Sequence, residues 1–485
     1  MEIDYIYGRL ANRPELPPLS WNPDSKKSIN PHMLICGGSG AGKTTLLLSL
    51  AAYLALRNKQ IFIFDLKGDM QVKDKNGNII GNYIEFTAWN SEYGINPFEF
   101  DTGVAEEELR EIVSTGNISD SQRFKIQNSG PKVQVERIVE IIKKNFLPNM
   151  GTNQKDILTF LLADTYISKG FRYDDINTWL QDLPSLSDTL DLILKIKSYT
   201  INQKAVNIHS ISEEFILDAQ QEIINYKSTN LPNVESETTS EISADFKDRM
   251  LKLFEEYLKK GVDKFTEDAI IPNNNWFKEK GIDIEKYTSK DALRTIEKLS
   301  SYINALVSSG VFHSARPPVK AGLNIINISG LDVAIQRFIV DVWLGKVFKS
   351  CKIRGTYSER SNKSRGEKCD TYVIIDESKL IAGTSRDKND PYSYLNRIAT
   401  EARGFGFGLI VAAQSAEHFP PEFLKNFDAQ IVLNTGVADF ETVRKSFSID
   451  KELLKFTQQS FGNALIKTGV VFNKVKLEYR QKESA

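Results

Sequence analysis

The stretch "MLICGGSGAGKTTLLLSL", Met33 to Leu50, contains the full pattern G-x-x-x-x-G-K-T over Gly37–Thr44. Four apolar residues precede the glycines and an apolar run follows them. The pattern therefore sits between a buried strand and a helix, which is the setting it requires. Glycines are needed because backbone N–H groups must curl around phosphate oxygens with no Cβ in the way. The helix N-terminus adds positive potential. Gly37, Gly38, Ser39, Gly40, Ala41, Gly42, Lys43, Thr44 and Thr45 are the expected nucleotide-binding residues. Lys43 would reach the β- and γ-phosphates, and Thr44 would ligate Mg²⁺. The alternative, a chance glycine-rich turn, does not explain the strand and helix on either side.

Outward from this loop the pattern is α/β. An apolar helix is expected from about Lys43 to Arg57, then a buried strand in "QIFIFDLKGD" (60–69) and another in "GNYIEFTAW" (81–89). From about 101 to 319 the character changes to long helical periods. "VQVERIVEIIKKNF" (133–146), "QKDILTFLLADTYI" (154–167), "LSDTLDLILKIKSY" (186–199), "FKDRMLKLFEEYLKK" (246–260) and "ALRTIEKLSSYINALV" (292–307) carry apolar residues at three- and four-residue steps. The α/β pattern returns over 320–477, from "GLNIINISGL" (322–331) through "TYVIIDESKLIA" (371–382) and "FGLIVAAQ" (407–414) to "NALIKTGVVFN" (463–473). Residues 1–30, with Pro14, Pro17, Pro18 and Pro23, suggest an extended lead-in, and 478–485 a short charged tail.

The totals narrow the function classes. Among 485 residues the formal net charge is −1, so any nucleic-acid contact must come from a local basic surface. Cys36, Cys351 and Cys369 are too few and too scattered for a disulfide framework. That fits a reducing cytoplasm, either free or at the edge of a membrane complex. The longest apolar run, "LLLSLAAYLAL", is about half the roughly 20 residues needed to span a bilayer, so no membrane anchor is expected. The N-terminus does not resemble a signal peptide.

Three further positions carry chemistry. In "YVIIDESK", Asp376 ends a buried strand at the edge where sheet ligands bind, and would hold the Mg²⁺. Glu377 beside it would orient and deprotonate an attacking water, which favours hydrolysis over phosphate transfer to a small molecule. In "EARGFGFGLIVAAQ", Gln414 ends a strand as Asp376 does and would sit beside the γ-phosphate. Arg403 lies on the preceding helix end, placed to reach a neighbour's nucleotide in trans. Read singly, Gln414 is also a strand-end hydrogen bond and Arg403 a cation at a helix C-terminus. An Asp-Glu pair can likewise simply cap a following helix.

The series formed by this loop, "FDLKGD", "GINPFEF", "NIINISGL", "VIIDES", E-x-R-x-x-G and a strand ending in Gln resembles the HerA/FtsK superfamily. Within it, the chain is most similar to type IV secretion ATPases and conjugative coupling proteins. The resemblance covers about 31–100 and 320–475. It implies a RecA-like P-loop core with a mostly parallel sheet and an inserted all-helical domain. It also implies ATP and Mg²⁺ as cofactors, a homo-oligomeric ring such as a hexamer, and movement of DNA. Gln414 becomes the γ-phosphate sensor and Arg403 the finger. "DLKGD" carries Asp69 where the family has Glu, and reads as a structural or subunit-contact turn. Against this resemblance, neither the transmembrane helices of coupling proteins nor the N-terminal barrel of HerA helicases is expected from the residues before the loop.

"KIRGTYSERSNKSRGEK" (352–368) holds six Lys or Arg and two Glu. Arg360, Lys363 and Arg365 could neutralise DNA phosphates, or belong to a solvated loop. In "GTSRDKNDPYS" (383–393), Arg386 and Lys388 are candidates for a ring pore. No guanine-specific Asn/Thr-Lys-x-Asp motif appears, which favours ATP. Three functions follow: a DNA translocase, an ATPase subunit powering or gating partner proteins of a secretion, conjugation or anti-phage complex, and a non-motor nucleotide switch.

Overall fold

The apolar runs around the glycine loop pair into one sheet in a computed structural model. The structure describes all residues except 1–3, 26–27, 29, 75, 90, 205–214, 226–243, 266–270, 357–368, 378–397, 399–400, 416–418, 420–423, 470 and 480–485. The strands are β1 (Tyr5–Leu10), β2 (Leu19–Trp21), β3 (Met33–Cys36), β4 (Gln60–Asp65), β5 (Asn82–Glu85), β6 (Leu323–Asn327), β7 (Thr371–Ile375), β8 (Phe407–Ala413), β9 (Ala429–Val432), β10 (Asn463–Thr468) and β11 (Val471–Leu477). Their order in the sheet is β2-β1-β11-β10-β9-β3-β8-β7-β4-β6-β5. From β9 to β5 all pairs are parallel, and the remaining four strands are antiparallel.

Parallel strands are covered on both faces, and so read as continuous apolar runs. β3, β6, β7, β8 and β9 are buried at every residue. On one face lies helix α1 (Lys43–Leu56), which buries Leu46, Leu47, Leu50, Ala51 and Leu54. On the other, the helix Val333–Ile353 places Trp343 against Phe62, Phe64 and Phe86. The segment expected as a lead-in contributes β1 and β2, and Tyr5, Tyr7 and Trp21 join the core beside Tyr53.

The chain divides into two compact units, one of 1–150 with 304–485 and one of 151–303. Helices Glu106–Thr115, Asp120–Gln127 and Gly130–Phe146 belong to the first unit, inside the range that the helical periods group with the insertion. Long-range bonds explain the placement. Gln134 Nε2 donates to the Pro97 carbonyl (2.5 Å), and Lys144 Nζ reaches both carboxylate oxygens of Asp341 (2.9 and 3.0 Å). Helical period alone does not tell which unit a helix packs into. The second unit is helical, with Leu158, Leu161, Leu162, Ile193 and Ile196 buried. Within it the Tyr287 hydroxyl donates to Asp164 at 2.6 Å.

Lys349, on the helix Val333–Ile353, is buried with its ammonium donating to Gln134 Oε1 (2.8 Å). Burial, with Arg137 nearby, lowers its pKa to about 7. Between pH 7 and the usual lysine range the unfolded chain then holds a proton that the folded chain lacks, so this site makes stability rise with pH. Lys349→Met should remove that slope. In urea titrations at pH 7 and pH 10, the variant's advantage over wild type should shrink at the higher pH. A constant difference would overturn this account.

Candidate active site

Because β3, β8, β7 and β4 are adjacent and parallel, their C-terminal ends line one edge of the sheet. Adjacent strands lie about 4.8 Å apart, so side chains leaving neighbouring ends meet. The glycine loop leaves β3, Gln414 follows β8, Asp376 and Glu377 follow β7, and Asp65 ends β4. Strand ends at such an edge are where open α/β sheets bind ligands.

The loop is tightly packed at its two ends, Gly37 and Gly42. A Cβ at Gly37 would lie 2.8 Å from Leu433 Cβ. The Gly38 N–H donates to the Asn434 carbonyl (2.7 Å), so the exit of β9 shapes the loop. Gly42 has φ +92°, a left-handed conformation that suits glycine, and immediately precedes α1. Lys43 folds back over the loop, its Nζ donating to the Gly37 and Gly38 carbonyls at 2.8 Å each. Burial pushes its ammonium below the usual lysine range, and Asp376 and Glu377 oppose that shift. Such an amine gains by meeting an anion.

The Thr44 hydroxyl donates to Asp376 Oδ2 at 2.7 Å. Among the described residues, no three His, Cys, Asp or Glu side chains converge to hold a metal. Mg²⁺ needs fewer protein ligands, since it keeps waters and takes phosphate oxygens. Thr44 and Asp376 are hard oxygen donors lying next to the phosphate cradle, so the residues present fit this ion.

Glu377 has a backbone φ of +60°, unusual for a residue with a side chain. Its N–H donates to Asp376 Oδ1 (2.9 Å). Gln414 Nε2 donates to Glu377 Oε1 (2.8 Å), and Lys67 Nζ donates to Oε2 (2.7 Å). Burial works against the Lys67 charge, but its bond to Glu377 and the charges of Asp376, Glu377 and Asp69 raise its pKa above the usual value. Lys67 is the site residue that sequence reading missed. The "DLKGD" turn was visible, but its partner was not.

The fold of that turn is set by Asp65. Its buried carboxylate accepts from the N–H groups of Lys67 (3.1 Å), Gly68 (2.7 Å), Asp69 (3.3 Å) and Met70 (3.0 Å). Four backbone donors on one carboxylate hold the loop in a single shape, which aims Lys67 at Glu377. Burial, then Asp65 and Asp376, raise the pKa of Asp69.

Thus Lys43, Thr44, Asp376, Glu377 and Gln414 lie together at one edge of the sheet. Arg403 does not join them. It lies in the short helical turn Ala402–Phe405, before the N-terminal end of β8, whereas Gln414 follows the other end. Arg360, Lys363, Arg365, Arg386 and Lys388 lie outside the described residues. Cys36, at the end of β3, is a buried free thiol pushed up to about 12 by burial, so it is not a nucleophile here.

Comparison with known proteins identifies a nucleotide-binding domain. The model of the CobQ/CobB/MinD/ParA nucleotide-binding domain family matches residues 33–485. The chain belongs to that family. Its sequence is similar in part to HerA helicases, and its fold is similar to that of a type IV secretion ATPase-like protein, VirB4. The chain is 26% identical over 196 residues to the DNA double-strand break repair helicase HerA of Sulfurisphaera tokodaii, covering 40% of this chain and 34% of that protein. It is 28% identical over 177 residues to the probable helicase MJECL08 of Methanocaldococcus jannaschii, covering 36% of this chain and 34% of the relative. The chain thus spans 34% of the length of each of these curated relatives. VirB4 of Thermoanaerobacter pseudethanolicus shares the fold across 99% of this chain and 98% of its own, with a TM-score of 0.55 and 12% identity. Among the described residues, no helix is long and apolar enough to cross a membrane.

Proposed function

We propose that this protein hydrolyses ATP with Mg²⁺ in a ring of its own copies, such as a hexamer, and uses the cycle to move DNA. One observation carries the reading. The phosphate loop, the Thr44–Asp376 pair and the Gln414-held Glu377 share one sheet edge, while Arg403 is at the other. Bound Mg²⁺ would offset phosphate charge. Lys43 would bind the β- and γ-phosphates, and Glu377 would take the proton of the attacking water. Gln414 would orient that carboxylate and the water. Arg403 of a neighbouring copy would stabilise charge on the transferred phosphoryl.

Support for DNA as the load is the likeness to HerA, which is named as a DNA repair helicase. A second reading, an ATPase subunit that powers or gates partner proteins, is favoured by the helix Ala244–Phe265. Leu251, Phe254, Leu258 and Val262 are exposed at three- and four-residue steps along it. Such an apolar stripe suits a protein partner.

The separating experiment measures particle mass with Mg²⁺ and a non-hydrolysable ATP analogue, with and without DNA, together with DNA-stimulated turnover. The motor reading expects a ring and stimulation. A ring whose turnover ignores DNA favours the partner-driven reading. A monomer under every condition would sink both the ring and the trans arginine.

A further inference from the structure

An aromatic corner stands beside the phosphate loop and has no part in the phosphate chemistry. A Cβ at Gly42 would lie 2.7 Å from the Tyr479 hydroxyl oxygen and 3.4 Å from Phe461 Cζ. Phe461 and Tyr479 are stacked, with centroids 5.9 Å apart and planes at 27°. The sheet explains how they meet. β10 is antiparallel to β9, so the turn that enters β10 sits at the loop's edge of the sheet. The β10–β11 pairing (Asn463 with Lys476) brings the end of β11 to the same place. Leu477 N–H donates to the Gly462 carbonyl (2.8 Å) and Glu478 N–H to the Tyr7 carbonyl (2.9 Å). The pair is therefore fixed by backbone bonds on both sides.

The two rings are unequal. The Tyr479 hydroxyl oxygen is buried with no hydrogen-bond partner among the described residues. Phe461 remains 59% exposed although Tyr479 covers one of its faces. A flat apolar ring left open beside a phosphate cradle matches the amphipathic shape of a nucleotide, in which the charged and the planar aromatic ends are joined by a sugar.

We propose that Phe461 is the platform on which the base of the bound nucleoside triphosphate stacks, with Tyr479 holding the ring in place. Base–aromatic stacking tolerates any base because each has a π-face, so the platform adds affinity and little selectivity between adenine and guanine. Gly42 is then needed twice, for its backbone conformation and to leave space for the Tyr479 ring.

This assignment rests on the nucleotide reading above, and its test separates the two. Binding of ATP and of inorganic tripolyphosphate, which has no base, is measured by equilibrium dialysis with Mg²⁺ on full-length protein. Phe461→Ala should weaken ATP about tenfold and tripolyphosphate less than about twofold, as expected for loss of one stacked base. Phe461→Trp should keep ATP affinity, and its added fluorescence should be quenched by ATP but not by tripolyphosphate. Equal weakening of both ligands, or of neither, would overturn the platform while leaving the phosphate site intact. Wild-type protein that binds neither ligand would overturn the nucleotide reading and the platform with it.

Discussion

Replacing Arg403 by alanine is expected to cut ATP turnover by about three to five orders of magnitude, the range lost with a phosphoryl-stabilising arginine, while nucleotide affinity stays within about threefold. The reason is position. Arg403 precedes β8, and Gln414 follows it. Seven strand residues at about 3.3 Å each separate the two by about 20 Å or more, beyond the reach of one side chain. That backbone separation is why the proposed role of Arg403 is one played in trans, at a neighbour's phosphate loop. Mixing gives the sharper measurement. Arg403→Ala and Lys43→Ala proteins are each expected to be inactive, yet a mixed ring contains interfaces that pair an intact Lys43 with an intact Arg403. Turnover should reappear on mixing. Undiminished turnover in Arg403→Ala alone would rule out the finger.

The second large effect is expected at Glu377. Glutamine has the same shape but cannot take up a proton, so Glu377→Gln should lower turnover by about two to four orders of magnitude. Gln414 and Lys67 each contact one carboxylate oxygen of Glu377. A glutamine retains one good acceptor for these two donors, which keeps the side chain in place and the nucleotide bound. Single-turnover measurements with radiolabelled ATP should show binding without release of phosphate. Turnover within about tenfold of wild type would mean that another group activates the water.

The two contacts on Glu377 also bear on how the site works. In this structure each carboxylate oxygen of Glu377 accepts one hydrogen bond, from Gln414 or Lys67, and keeps a further lone pair for a water. Lys67 is the more exposed of the two members of its ion pair, 49% against 14% for Glu377, and exposed ion pairs are weak. Nucleotide phosphates arriving beside Glu377 provide a competing anion for the Lys67 ammonium. That competition would loosen the Lys67 contact to Glu377.

Much of this was legible in the residues, and the exceptions share a cause. The phosphate loop is eight consecutive residues, and its chemistry depends on local backbone geometry, so its pattern can be read directly. The buried strands could be read from continuous apolar runs, and Asp376, Glu377 and Gln414 from their positions at strand ends. The two strands within residues 1–30 were hidden by their prolines. β1 pairs with β11, which lies near the opposite end of the chain, so nothing local announces it. The helices of 106–146 carry the same period as those of 152–204, so it takes tertiary contacts such as those of Gln134, Lys144 and Asp341 to show where the first group packs.

Sequence by itself pointed to a glycine-rich phosphate loop in a parallel α/β sheet, with a candidate metal-binding carboxylate and a candidate base at strand ends. Tertiary structure alone decided which of these meet and what else joins them. Lys67 reaches Glu377 across 310 positions, Asn434 shapes the loop at Gly38, and Phe461 stacks on Tyr479 beside Gly42. The physical reason is that periodicity records which face of an element is buried, whereas strand order and direction are set by the packing of the whole sheet. The order β9-β3-β8-β7-β4 and the antiparallel turn into β10 bring these side chains to one edge, and leave Arg403 at the other.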